Sequence, residues 1–521
     1  MSGERNSVMR KMSAFVTLLG GLLLPGSGPV YAQGGRGAGG DWMTSGGDAQ
    51  RSGWTKSDPK ISPASMQKPG FALDWKIKLA NEPTTPVTLD RYIGYRGFRA
   101  LAFMGSSAGS IVAVDTDLGR VEWQKALSGS AAHPAGGNCS GGMTANVTRP
   151  TLFGMAAPPS GRFGGGPGRG AAAKSEVGAP GEGAPIIAEL AARAAMAGRG
   201  PGAGRGAGRG RGAVNPNDIF SPRISLVNAL TSDGMLHLMF VASGKEPEPA
   251  IPFLPANANA RGLIVLDKVA YATTSQGCGG VANGVWALDL ESKEVTSWKA
   301  SGDVAGTEGP AFGGDGTLYV ATTAGDVTAL EPKTLKVKAS YHSGGAGFAS
   351  SPVIFEYKDK TLLAVAAKDG SLHVLDTAAL DGAPVAKSQP SSDLSPGALT
   401  SWQDSSGTRW ILAASKGAIV SWKLADQGGT PALQAGWVSR DIFAPQTPLV
   451  INGVVFAVSA GDRSRPAVLY ALDGEGGKEF WNSGKTVTSY VNNGGFSASG
   501  SQVYLGTNDG TIYAFGFPIE H

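Results

Sequence analysis

The residues in this 521-residue chain that could do chemistry are two cysteines and a scatter of carboxylates and amides. Cys139 and Cys278 are too few for a disulfide-built scaffold or a four-cysteine zinc site. They either pair, stay as free thiols, or offer one nucleophile, and no sequence pattern supplies that nucleophile with a base. Asp303, Glu308, His342, Asp393, Arg440, Asp441, Asn492 and Asn493 form a second group. Gathered around one axis they could hold Ca2+, which takes roughly six to eight oxygen ligands. Scattered over loops they are solvated turn-formers. Glu308, in Gly306-Thr-Glu-Gly-Pro310 just before an apolar strand, is the best single axial candidate, and Arg440-Asp441 is the one adjacent cation–carboxylate pair within this group. The five histidines show no metal-ligand spacing, and His373 reads as a structural residue within a strand. No glycine fingerprint for a nucleotide and no serine nucleophile elbow is present.

These residues need a scaffold, and the repeats supply it. Hydrophobic residues make up 41% and charged residues 17%, enough for a sizeable core; glycine, at 79 residues, points to a turn-rich all-β protein. One phrase recurs: a small residue or Asp-Gly, a short apolar strand, an acid, a turn, and often Trp. It is clear in Gly109–Asp115, Gly284–Asp289, Gly325–Glu331, Asp369–Asp376, Lys416–Trp422, Val468–Asp473 and Asp509–Phe515. Anchors Val285, Val327, Leu372, Ile419, Leu469 and Ile512 are spaced 42, 45, 47, 50 and 43 residues apart. That period, filled with short strands, predicts a β-propeller. A degraded copy at Asp233–Phe240 divides the long step from Val112 to Val285 and makes eight anchors, with seven blades the alternative to eight.

Each copy implies four strands, A to D. In the first, Ala100–Ser106 is strand B, Ser110–Asp115 strand C and Arg120–Ala126 strand D. Trp123, Trp298, Trp437 and Trp481 fall in strand D, where they should pack between neighbouring sheets. The chain ends after a strand-C copy, Thr511–Gly516, while Phe71–Leu79 looks like an orphan strand D near the start. Their pairing would close the ring and remove two exposed edges. The propeller thus runs over 71–517, behind an extended segment at 33–70.

In such a ring the D-to-A and B-to-C loops share one face. Cys139 lies in a D–A loop and Cys278 in a B–C loop of the adjoining blade, which makes a disulfide the expected state in an oxidising compartment. Closing so long a loop would restrain the unfolded chain by roughly 3–5 kcal/mol.

Export is the expected fate. Arg5, Arg10 and Lys11 precede the apolar run Ala14–Leu24, and Val30-Tyr31-Ala32 offers small residues for cleavage after Ala32. Residues 1–32 therefore read as a signal peptide and the protein as periplasmic or secreted. The run is too short for a membrane span, and no later segment could cross as a helix.

Residues 154–213 interrupt the repeats with 18 glycines and a net charge of +5, leaving −1 for the other 461 residues. Arg-Gly repeats can follow a nucleic-acid backbone, but export and the scarcity of interleaved aromatics favour a solvated, disordered loop. No nucleic-acid partner is expected, and a monomer is the simplest state.

The phrases Asp115–Trp123, Ala287–Trp298 and Ala471–Trp481, together with Asp41-Trp42-Met-Thr-Ser-Gly46-Gly47-Asp48-Ala-Gln-Arg51, resemble the quinoprotein family of pyrroloquinoline-quinone (PQQ)-type propellers, the opening phrase resembling quinoprotein alcohol dehydrogenases. The resemblance covers most of 41–153 and 214–517. It implies PQQ-like blades, and PQQ with Ca2+ as the cofactors of an enzyme reading. The chain departs from the family where two adjacent cysteines would form a ring over the quinone: Gly136–Gly141 has Cys139 alone. It also has no Cys-x-x-Cys-His for haem, and the Ca2+-binding set cannot be assembled residue by residue.

Two readings follow. The first is a non-catalytic exported module that presents its loop face to a protein, a glycan or another small ligand. The second is a soluble PQQ- and Ca2+-dependent dehydrogenase of an alcohol or sugar, which needs an axial pocket with an arginine and a carboxylate. A scaffold for outer-membrane protein assembly is a third, weakened by the lack of a lipidation cysteine.

Overall fold

The computed structural model describes residues 40–94, 97–106, 108–127, 139, 142–151, 225–492 and 495–518, which belong to one compact unit spanning Gly35–His521. The signal-peptide reading at 1–32 and the insert at 154–213 lie outside the described residues. The described residues form eight sheets arranged as an eight-bladed propeller, almost without helix.

Blade 1 shows the plan. Val87–Gly94, Gly97–Gly105, Ser110–Asp115 and Arg120–Ala126 pair in sequence order as antiparallel strands A to D. Strands C and D stand where the repeat places them. Middle strands are buried and mostly apolar because both of their faces pack on neighbouring blades; Val454–Ser459 of blade 7 is buried at every position. The ring closes as its ends suggest: Ala72–Lys78 pairs antiparallel with Thr511–Gly516 in blade 8, aligning Ile77 with Ile512.

Blade 2, the degraded copy, keeps the four-strand plan in reduced form. Its strand A is a single bridge between Thr148 and Asn228, followed by Leu226–Leu230, Met235–Phe240 and the two-residue Ile251–Pro252. Proline has no N–H for a ladder, which helps stop this outer strand. The chain leaves strand A at Thr151, whose N–H donates to Val265 O near the A–B turn of blade 3. The described chain resumes at Ser225, leading into strand B, so Thr151 and Ser225 both lie toward the face opposite the D–A and B–C loops.

The strand-D tryptophans tie blade to blade. Trp123 Nε1 of blade 1 donates to Val241 O in the C–D connection of blade 2, 2.9 Å away. Trp437 Nε1 of blade 6 donates to Gly474 O of blade 7, and Trp75 Nε1 of blade 8 to Thr116 O of blade 1. A glycine receives each indole: a Cβ on Gly244, Gly477 or Gly119 would stand 2.4–2.6 Å from ring carbon atoms.

The N-terminal segment winds inside the ring. A propeller's innermost strands would otherwise present unpaired backbone groups to the channel. The carbonyls of Trp42, Met43, Ala49, Gln50, Ser52 and Gly53 accept the N–H groups of Thr88, Arg149, Phe312, Ile354, Ser401 and Val450, in blades 1, 2, 4, 5, 6 and 7. Blade 3 is met by side chains: Thr44 Oγ1 donates to Leu263 O and Arg51 Nη2 to Gly262 O. Trp54–Thr55 then adds a parallel fifth strand to blade 7, and Asp58 accepts from the N–H and Oγ of Ser501 in blade 8. The segment fastens all eight blades from within.

Candidate functional site

This inner segment closes the channel and leaves a cup of about 560 Å3 above it. Trp42, Ser45, Gly46 and Gly53 form its floor, while the walls come from the entries to the A strands and their preceding loops. The volume is typical of small-molecule sites, ~300–1,000 Å3.

Beneath the floor sits a buried cation. Arg51, 1% exposed, donates from Nε to Pro310 O at 3.0 Å, from Nη1 to Thr44 Oγ1 at 2.9 Å and Ser45 O at 2.7 Å, and from Nη2 to Gly262 O at 3.0 Å. Four bonds to neutral acceptors offset part of the desolvation. Burial still lowers its pKa to about 10, against the pull of Glu308 and Asp48.

Glu308 lines the cup, with its N–H held by Ser351 Oγ at 2.9 Å. Its Oε2 is sealed from solvent and has no hydrogen-bond partner among the described residues. Burial pushes its pKa up to about 7; Arg51 opposes that shift and Asp48 adds to it. Asp48 is spent on Ser52, accepting from its N–H at 2.9 Å and its hydroxyl at 2.6 Å, and burial raises its pKa as well.

The other candidates separate. Asp393 and Asn492 line the cup, and Asp393 pairs with Lys416 at 3.3 Å. Arg440 and Asp441 are exposed and not part of the lining; Arg440 Nη1 turns to Glu479 at 2.6 Å and its guanidinium lies over Tyr470. His342 pairs with Asp326 at 2.7 Å, and Asp303 accepts from the N–H groups of Gln276 and Val304. Asn493 lies outside the described residues. Cys139 and Cys278 form a disulfide with Cα atoms 5.6 Å apart, joining the D–A loop after blade 1 to the B–C loop of blade 3; neither lines the cup. His373 is buried between Tyr341 Oη at 3.0 Å and Ser371 Oγ at 3.1 Å.

Sequence reasoning missed Arg51, Asp48 and Arg261. The first two stand in the Asp41–Arg51 phrase, whose three charges and two glycines were signals without a location. Arg261 lines the wall where the ladder of blade 3 slips between Arg261 and Ile264, a bulge at Gly262 (φ 62°). Bulges of this kind re-aim side chains.

Residues 281–516 match the family model described as outer membrane protein assembly factor BamB. Two solved structures share the architecture. Quinohemoprotein alcohol dehydrogenase from Comamonas testosteroni aligns with a TM-score of 0.55 at 14% identity, over 92% of this chain and 82% of that one. A europium-containing methanol dehydrogenase aligns with a TM-score of 0.53 at 11% identity, over 92% and 98%. The fold is that of the PQQ-like β-propellers. No curated protein matches the sequence.

A PQQ-like propeller raises the question of quinone and Ca2+. Among the described residues, no three His, Cys, Asp or Glu side chains gather as a metal-holding group. Glu308 is matched instead against the Arg51 cation. This donor set does not fit Ca2+, which needs several converging oxygens. Among the described residues, no helix is long and apolar enough to cross a membrane.

Proposed function

We propose that this PQQ-like propeller is a non-catalytic, exported binding module whose recognition centre is the axial cup. One observation carries the reading: the cup is closed below by the chain's own N-terminal segment, and its walls hold side chains with unspent hydrogen-bonding capacity. Thr85, Thr307, Gln446 and Asn492 line it, and their side chains make no hydrogen bond among the described residues. Unspent polar groups in a concave site are what orient a small ligand or a chain end.

Binding of the purified chain to an array of neutral and acidic glycans tests this, with Gln446→Trp as the blocked variant. The half-buried Gln446 side chain is free, so tryptophan can fill the cup without breaking a bond. Binding lost in that variant supports the reading; binding unchanged by it moves recognition elsewhere.

The dehydrogenase reading has one observation in its favour: Arg261 and Glu308 line the same axial cavity, an arginine and a carboxylate where a quinone enzyme would need them. Against it stands the Oε2 of Glu308, sealed from solvent, and among the described residues no cluster of His, Cys, Asp or Glu joins it.

A further inference from the structure

We propose that the cup takes a hydroxylated carboxylic acid of the sugar-acid class, such as a uronate or a uronate-ended glycan, with its carboxylate held by Arg261. The assignment rests on the cup being the binding site.

The charges around the cup single out this arginine. Lys416 is 73% exposed and spent on Asp393. Glu82 accepts from Asn508 Nδ2 at 3.1 Å. Arg51 is beneath the floor with four bonds already made. The Arg261 side chain makes one hydrogen bond, from Nη1 to Gly306 O at 3.1 Å, and no ion pair among the described residues. Most of its donor fork is uncommitted, and that fork matches a carboxylate in two parallel bonds.

Its placement is built rather than accidental. Arg261 is the last residue paired before the bulge, opposite Thr273, and Gly262 beside it is clamped: its carbonyl is held by Arg51, and a Cβ there would stand 2.6 Å from Gly309 Cα. The buried cation below thus fixes the backbone of the free cation above. Glu308 makes no ion pair with Arg261 among the described residues; the cation that acts on its carboxyl is Arg51, beneath the floor. The free hydroxyls and amides of Thr85, Thr307, Gln446 and Asn492 then suit ring hydroxyls, which both donate and accept.

Calorimetric titration of the purified chain with galacturonate and with galactose, its neutral counterpart, tests the assignment. Galacturonate should bind at least about 10-fold tighter than galactose. Arg261→Gln should weaken galacturonate by about 10- to 100-fold and leave galactose unchanged, with Arg261→Lys between the two because it keeps the charge and loses the fork. Unchanged melting temperatures show that the variants fold. Equal affinity for both sugars, lost in Gln446→Trp but not in Arg261→Gln, would overturn the acid assignment and leave the cup as the site. No saccharide binding that Gln446→Trp removes would overturn both.

Discussion

Gly46 lies so close to Glu308 that a Cβ on it would stand 2.5 Å from the carboxylate Oε2 and 3.0 Å from Arg51 Cα. The floor of the cup is therefore a fitted joint between the N-terminal segment and the entry to blade 4. Its backbone also needs glycine, with φ at 67°. Gly46→Ala should destabilise the protein by roughly 1–3 kcal/mol through combined strain and crowding. Glu308→Ala removes the crowding partner, so the double variant should lose less than the sum of the singles in urea denaturation. Strict additivity would mean that the two residues do not meet.

Two buried titrating groups should impose opposite pH slopes. Glu308, raised to about 7 by burial, binds its proton more tightly folded than unfolded. Its contribution is fully present below the ordinary glutamate range and is lost as pH rises through 7. His373, lowered to about 4 by burial and by Lys387, is the reverse: its contribution is present above its ordinary value of 6.5 and is lost as pH falls toward 4. Between about pH 4.5 and 6.5 the two oppose each other. Glu308→Gln should leave melting temperature rising with pH in that window, and His373→Gln should leave it falling. Parallel curves for the wild type and both variants would contradict these environments.

The blades were legible because each one repeats its own phrase, and the closure because an orphan strand D near the start matched a strand C without one near the end. The position of Glu308, though not a role for it, was legible too, since a carboxylate just before a strand A stands near the axis. Arg440 was proposed from adjacency to Asp441, and adjacency in sequence says nothing about which way a loop side chain turns; Glu479 and Tyr470 draw it away. The winding of residues 41–55 was hidden for a physical reason. It is held mainly by backbone carbonyls, which every sequence has, so only the three-dimensional ring shows what they meet. Arg261 was hidden likewise, because its aim depends on a one-residue ladder slip at Gly262.

Blade-to-blade docking should depend on the paired tryptophan and glycine. Trp123→Ala removes a large side chain packed on the next blade together with its bond to Val241, and should cost about 3–5 kcal/mol. Gly244→Ala keeps the indole but drives a methyl to within 2.6 Å of it at a φ of 66°, and should cost roughly 1–3 kcal/mol. Chemical denaturation of both variants checks the pair. A near-zero cost for either would show that the contact carries no stability.

The disulfide joins segments 139 residues apart, so its loss should act through the unfolded chain. The double variant Cys139→Ser, Cys278→Ser should lose about 2–5 kcal/mol. A reductant should lower the melting temperature of the wild type and leave the variant where it is. Equal sensitivity of the two would show that these cysteines are not bonded in solution.

The most direct test of the central claim is quinone retention. The purified chain is incubated with PQQ and Ca2+, desalted, examined by absorbance, and assayed for dye reduction with alcohols and sugars. A non-catalytic binding module should retain no stoichiometric quinone and reduce no dye. One quinone held per chain, with substrate-dependent dye reduction, would contradict the account and make Arg261 and Glu308 the first residues of an active site.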